Sequence, residues 1–398
     1  MIKRLLRPGL VLAVSLLPVL AAAQTPFAQQ NLGQRVNADD ARMVARGFGL
    51  TESDSLHPGF KNVASLSSLR HVAVKFTGFG ESADHEDATG TRHTSTTYSP
   101  DVRVALPVAK GRLAVTAGFS IFRSSSFQTR IDTTWNAFGE VIEGGHRFER
   151  EGSLFTVPLG VAWEPIGGLA LGGSYNLVHG AITDLVWDEF DTPLYQWNAL
   201  SRENRFSGTS VTASVLLKPG RRLRLAASYT PAYDIDVENE QYLQGVVERS
   251  TSTWRLSMPA EYQAGAEMRL FGRWRVGGDV MLAESSKLEG NAEWSAAARD
   301  EFAWSAGLER VQAHERRAGL GNLPLRVGAA YRRWSYDVGG APVDEWTYSA
   351  GTGFPFRSNL GQLDVALSWS RIGDLQTNGR ESTLWRLTVS VTGLEAWW

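Results

Sequence analysis

The sequence predicts an all-β fold: a transmembrane antiparallel β-barrel of about 14 strands with an N-terminal hatch in its lumen. Three observations predict it. Runs of alternating apolar and polar residues recur along the chain, tight Gly/Pro turns join them in pairs, and long polar stretches separate the pairs. Val157 to Trp163 leads through Glu164-Pro165-Ile166-Gly167-Gly168 into Leu169 to Tyr175. The same shape returns at Ala109-Lys110-Gly111-Arg112, Lys218-Pro219-Gly220-Arg221 and Leu270-Phe271-Gly272-Arg273. Short turns at one end and long loops at the other are what a barrel crossing a membrane requires.

In chain order, residues 1–23 read as a secretory signal peptide. Lys3, Arg4 and Arg7 form a basic start, Gly9 to Leu20 an apolar middle, and Ala21-Ala22-Ala23 a cleavage site. The apolar stretch is too short for a helix across a ~30 Å hydrocarbon core. The mature chain then begins near Gln24, and no Cys follows to carry a lipid. The absence of Cys also removes disulfides and thiolate metal sites, which a barrel closed by its own hydrogen-bond ladder does not need. A net charge of −2 provides no basic field for nucleic acid. The mean hydropathy of −0.20 sits beside 14 Trp, 17 Phe and 10 Tyr. Averaging a lipid face with a polar lumen face produces such a value, although a soluble β-sandwich shares it.

Residues 24–69 lack a period of two and read as the hatch. A short helix is expected over 37–46 with Asn37 as its cap. Phe48, Leu50, Leu56, Phe60 and Leu66 are out of place in a solvated tail. The barrel proper occupies 70–398. Its strands are expected at 70–79, 95–106, 112–124, 150–164, 168–183, 204–217, 222–235, 250–269, 274–286, 323–334, 345–354, 362–372 and 382–394. Both ends of the barrel should lie on the same side, so the count must be even. Glu301 to Leu308 supplies the missing strand, and Gly319 to Asn322 the turn after it. Polar loops near 80–94, 125–149, 184–203, 236–249, 287–300, 335–344 and 373–381 then all fall on the outer side.

In the last strand Trp385, Leu387, Val389 and Val391 share the lipid face, while Arg386, Thr388, Ser390 and Thr392 share the lumen face. Aromatic residues near strand ends, among them Trp163, Trp254, Trp334, Trp346 and Trp369, suggest two interfacial girdles. The terminal Trp398 is the kind of residue that a barrel-assembly machinery reads. Lipid and lipopolysaccharide of a Gram-negative outer membrane are therefore the expected surroundings.

Three stretches resemble a known family. Ala45-Arg46-Gly47-Phe48-Gly49 with His57-Pro58-Gly59-Phe60, Met258-Pro259-Ala260-Glu261-Tyr262-Gln263-Ala264-Gly265 with Trp274 to Val280, and Leu323-Pro324 to Tyr331 are similar to segments of the FadL-type outer-membrane transporters of hydrophobic compounds. The hatch departs from that pattern at His57-Pro58-Gly59, where the family has Asn-Pro-Ala. The resemblance implies passive uptake of a small hydrophobic molecule of the long-chain fatty acid or hydrocarbon type. The molecule would bind in the lumen and leave through an opening made by hatch movement or a kinked strand. Phe27, Phe48, Leu50 and Phe60 are then the candidate apolar contacts, and Arg42 or Arg46 the candidate partner of a carboxylate ligand. The alternative for these residues is structural: aromatics that plug the barrel and arginines that pair with lumen carboxylates.

No nucleophile elbow, phosphate loop or His-Glu-x-x-His motif is present, so no enzyme, metal or cofactor is expected. His85 and His93 fall in an outer loop and read as solvated. Asp184, Asp188, Glu189 and Asp191 would bind a hard cation, bridge lipopolysaccharide, or simply be solvated. Two further functions compete with uptake: a non-transporting barrel that holds a protein partner in a surface or secretion complex, and a diffusion porin for polar solutes.

Overall fold

A computed structural model describes residues 25–29, 32–36, 39–54, 57–137, 139–192, 199–243, 250–290, 297–312, 322–356 and 360–395. The leader reading at 1–23, Asn37, Leu56, the turn residues Gly319 and Gly321, and Trp398 lie outside the described residues. Strand β1 (Gln34–Arg35) belongs to the N-terminal segment. The wall comprises β2 (Val72–Asp87), β3 (Gly90–Ala109), β4 (Leu113–Ala137), β5 (Glu140–Ile166), β6 (Leu169–Phe190), β7 (Ala199–Leu217), β8 (Leu223–Thr230) and β9 (Tyr233–Leu243). It continues through β10 (Ser250–Met258), β11 (Glu261–Arg269), β12 (Trp274–Ala283), β13 (Glu301–Arg310), β14 (Leu325–Val338), β15 (Ala341–Phe356), β16 (Gly361–Asp374) and β17 (Arg380–Glu395). Neighbours pair antiparallel, and β17 returns to β2 from Glu395↔Val72 to Arg380↔Asp87. With β8–β9 and β10–β11 each forming one crossing, the wall is a closed barrel of 14 strands.

The expected alternation holds in β17. Trp385, Leu387 and Val391 are exposed on the lipid face, while Thr388, Ser390 and Thr392 are buried inside. The spans 222–235 and 250–269 need correction, because each is broken at Pro-Ala. Pro231-Ala232 separates β8 from β9, and Pro259-Ala260 separates β10 from β11. Proline has no N–H for the ladder, so both strands bulge at one level and the facing of side chains flips. Leu225 and Tyr229 point outward before the first break; beyond it Ile235 and Val237 point inward and Asp234 and Asp236 outward. A continuous period of two could not contain that slip.

The outer polar stretches are also not loops for the most part. β4 and β5 run on past the apolar band as far as Ala137 and Glu140, and β2–β3 and β14–β15 close at 88–89 and 339–340. Above the bilayer both strand faces meet water or vestibule, so the ladder continues while the apolar alternation that marks a strand in sequence fades. His85 is consequently a buried strand residue, within 2.8 Å of the hydroxyls of Ser382 and Thr94, whereas His93 is exposed.

Trp254 and Trp334 do not belong to a girdle; the first packs on the apolar cluster around Leu32 and the second is buried, both inside the barrel. A girdle does run outside it. Tyr229 stacks on Tyr262 at 5.0 Å, Tyr331 lies against Trp346 at 5.0 Å, and Tyr348 stacks on Trp369 at 6.0 Å. Among the described residues no helix is long and apolar enough to cross a membrane.

The interior is layered. The outer half holds two inward apolar clusters: Leu154, Ile182, Phe206, Ile235 and Leu256 gather around Leu32, and Trp334, Tyr336, Val343 and Ile372 around Phe27. The middle holds a cavity whose lining mixes polar and apolar side chains. The inner end, at the short turns, is filled by the N-terminal segment and a buried ion cluster. A charge on the lipid face tests the orientation. Val389→Arg should destabilise the barrel by about 2–4 kcal/mol if Val389 sits near the midplane, measured by urea unfolding in lipid vesicles.

Candidate functional site in the lumen

The N-terminal segment threads the whole lumen. Phe27 sits at the outer end, packed edge-on to Trp334 with ring centroids 6.0 Å apart. Gln34 and Arg35 pair with Ser124 and Arg123 of β4. Helix α1 (Ala41–Arg46) lies at the inner end against β13 to β17. Its cap is Asp40 rather than the expected Asn37. The Asp40 carboxylate accepts from Met43 N at 2.9 Å and pairs with Lys75. Gly47 closes the helix with φ 73°, a conformation that favours glycine. A 3₁₀ turn over Val63–Ser68 rests on β4 to β7 on the facing wall, capped by Asn62.

The wall is shaped to receive this segment. Gly277, Gly307 and Gly328 stand side by side on β12, β13 and β14. A Cβ on Gly307 would lie 2.2 Å from the Arg46 carbonyl oxygen, and one on Gly277 2.7 Å from the Phe48 ring. Glycine mid-strand weakens a ladder, and here it admits another backbone.

Arg42 and Arg46 lie deep in this contact. Glu309 accepts from Arg42 Nε at 2.9 Å and Nη2 at 3.0 Å, from Arg46 Nη1 at 3.0 Å and from Arg326 Nε at 3.0 Å. Glu52 pairs with both hatch arginines. Thr51 donates to Glu267, which also takes Arg224 and Arg275. Burial opposes the charge on Arg42, and Glu309 and Glu52 outweigh it and hold the guanidinium protonated. Both arginines therefore spend their charge on lumen carboxylates, as in the structural alternative.

The cavity lies just above. It measures about 440 Å³, within the range of pockets that take drug-sized molecules. Phe48 and Phe60 line it; Phe27, Arg42, Arg46 and Leu50 do not. Leu50 is buried beneath, against Ala64, Ala170, Leu216 and Ala226. One arc of wall is neutral and polar, with Ser174, Asn176, Ser210, Thr212, Ser228 and Thr230 turned inward. The other arc carries opposed charges. Arg35 reaches Glu261 and Glu301, and Glu301 also draws Arg123 at 3.7 Å and Arg332 at 3.9 Å. Lys61 bridges Asp39 and Asp279, and Asp279 accepts from Gly49 N at 2.7 Å.

Sequence reasoning missed these wall residues. The usable signal was a charged residue in register with polar neighbours inside an alternating strand, such as Glu267, Glu309 and Arg326. The acidic group Asp184, Asp188, Glu189 and Asp191 is spread along β6 and its end, with partners in Arg150, His146, Arg147 and Arg130. Among the described residues no group of three or more His, Cys, Asp or Glu is placed to hold a metal ion.

The wall itself parts beside the cavity. Among the described residues β3 and β4 pair only between Asp101↔Ser120 and Ala109↔Leu113. Farther out β3 stays with β2 and β4 with β5, and β1 occupies the β4 edge. Asp101, Ser120, Phe122 and Arg123 border both the parting and the cavity.

A family profile described as BamG matches residues 1–398 of this hatch-filled barrel. The chain belongs to the BamG family. Solved structures place the fold of this BamG-family chain. A Pseudomonas aeruginosa FadL homologue superposes with a TM-score of 0.60 at 12% identity, covering 90% of this chain and 99% of that one. The CymD monoaromatic hydrocarbon channel gives 0.57 at 13% identity over 88% and 98%. The Pseudomonas putida toluene transporter TodX gives 0.55 at 15% identity over 91% and 99%. At these identities the likeness is one of fold. No curated protein matches the chain.

Two outcomes follow for the BamG-family hatch. Glu309→Gln leaves Arg42, Arg46 and Arg326 short of a buried counter-charge and should cost about 3–5 kcal/mol. Faster proteolysis within 39–69 in the folded barrel is the readout. Burial raises the Asp40 carboxyl, but Lys75 and the helix N–H outweigh this and hold it at about 2. A carboxyl depressed below its unfolded value stabilises the fold above about pH 4, and that contribution is lost as pH falls toward 2. The urea midpoint should drop across that window, and the drop should be smaller in Asp40→Asn.

Proposed function

We propose that this barrel resides in the outer membrane of a Gram-negative bacterium and mediates passive uptake of small hydrophobic molecules, as a divergent FadL-type protein. The observation that carries the reading is the lumen cavity beside a parted wall. The cavity that Phe48 and Phe60 line also reaches Asp101 and Ser120, where β3 and β4 separate. A lateral path there leads toward acyl chains rather than water, which suits a cargo poorly soluble in water. The strand β1 lies across that path, so its release would open it. The fold shared with a FadL homologue, a toluene transporter and a monoaromatic hydrocarbon channel supports the reading.

A second reading is a non-transporting barrel that anchors a surface or secretion complex. The buried cluster around Glu309 favours it, because a hatch so tied to the wall is costly to move.

Uptake by vesicles separates the two. The native chain has no Cys, so Gln34→Cys with Ser124→Cys, which face each other in register, can form a single disulfide that fixes β1 on the β4 edge beside the parting. The reduced pair should pass labelled toluene or decane with saturation, and the oxidised pair should stop it. Phe48→Ala should weaken uptake several-fold at normal barrel content. Uptake that ignores the oxidised clamp rejects the lateral route. Absence of uptake, together with a stably co-purifying protein, supports the second reading.

A further inference from the structure

The polar arc of the cavity is not what a hydrocarbon calls for. Ser174, Asn176, Ser210, Thr212, Ser228 and Thr230 come from three neighbouring crossings and form a patch in register, with Ser174 opposite Thr212 and Asn176 opposite Ser210. They are joined by hydrogen bonds. Asn176 Nδ2 donates to Ser210 Oγ at 3.2 Å and to Thr212 Oγ1 at 3.2 Å, and the hydroxyls of Thr212 and Thr230 lie 2.8 Å apart. Each hydroxyl retains hydrogen-bonding capacity toward the cavity. The patch carries no charge, while the charged groups of the other arc stand against opposite charges. Phe48 and Phe60 of the hatch provide apolar surface in the same cavity.

We infer that the cavity takes a neutral two-faced molecule, with a polyhydroxylated or carbonyl-rich side on the Ser/Thr/Asn patch and an apolar side on Phe48 and Phe60. The inference rests on the uptake reading and names its cargo class. An alkane filling the cavity would strip water from this patch and return no hydrogen bond, which is unfavourable for every hydroxyl covered. A carboxylate head would find no unmatched cation on the patch. A ring or head bearing several hydroxyls replaces the lost water bond for bond, as a water-displacing group must if affinity is to be kept.

The test uses the full chain in lipid nanodiscs and three radiolabelled probes of one chain length: decyl glucoside below its micelle concentration, decanoate and decane. Retention is measured above that of protein-free nanodiscs. The native protein should retain decyl glucoside at least tenfold better than decane or decanoate. The triple variant Ser210→Ala/Thr212→Ala/Ser228→Ala should bring the glucoside-to-decane ratio to within about twofold. Ser174→Trp, which fills the cavity, should lower retention of every probe. Heat-modifiable gel migration verifies that each variant forms a closed barrel, and Ser210→Ala alone, with a smaller shift in the same direction, serves where the triple variant does not.

Decane or decanoate retained as well as the glucoside by the native chain overturns the cargo class and leaves the uptake reading standing. So does a glucoside preference that survives the removal of the hydroxyls. Retention of none of the probes removes the cavity as a cargo site, and the uptake reading falls with it.

Discussion

Every backbone N–H and C=O inside a bilayer must find a partner within the protein, and for strands only a closed ladder achieves this. In this chain that condition is met where β17 lies on β2 along its full length, joining the two ends of the wall. The rest follows from closure. Fourteen crossings enclose more space than facing side chains alone fill, so the interior needs further protein. The chain supplies it from its own N-terminal segment, which it must both accommodate and hold. Accommodation is by glycine on β12, β13 and β14; holding is by Glu309 and its three arginines.

Such an ion cluster is demanding. A buried carboxylate repays its desolvation only with good geometry, and Glu309 takes two hydrogen bonds from Arg42 alone. Its value here is in fixing position. Apolar contacts at Leu50 and Leu66 favour burial without defining a unique register, whereas opposed forks of charge do. The inner end is therefore the rigid part of the lumen. The middle is different: its hydroxyl patch bonds laterally to itself and meets a cavity instead of hatch side chains. That contrast between a locked floor and an open middle is the reason the proposed cargo site is put in the middle.

The departures from regular ladder order cluster around the same cavity. The wall parts between β3 and β4 above Asp101↔Ser120, and the broken strands bulge at Pro231-Ala232 and Pro259-Ala260. β12 and β13 stop early, and the segment that joins them reaches β10 through Ser257 N to Glu289 O at 2.8 Å and β14 through Arg299 N to Ser335 O at 2.9 Å. The freed edge of β4 is met by β1, and the early stops of β12 and β13 by the segment that joins them.

The sequence by itself determined the class of fold, because a lipid face and a polar lumen impose a period of two, and tight turns impose an end to it. The alternation from Trp385 to Thr392 and the turns at Gly111, Gly168 and Gly272 are local facts of that kind. It left open what fills the lumen. Arg42 and Arg46 read as ligand contacts or, more readily, as plugs until Glu309 and Glu52 were seen against them, more than 200 residues apart in one case and within ten in the other. Phe27, Phe48 and Phe60 look alike in sequence, yet the first seals the outer end and the other two face the cavity. The Pro-Ala bulges reversed the facing of Arg255 and Ile235, which no uninterrupted period could foresee. Periodicity is set by a residue and its near neighbours; which wall a side chain meets across a lumen is set by closure, and only the tertiary structure contains that.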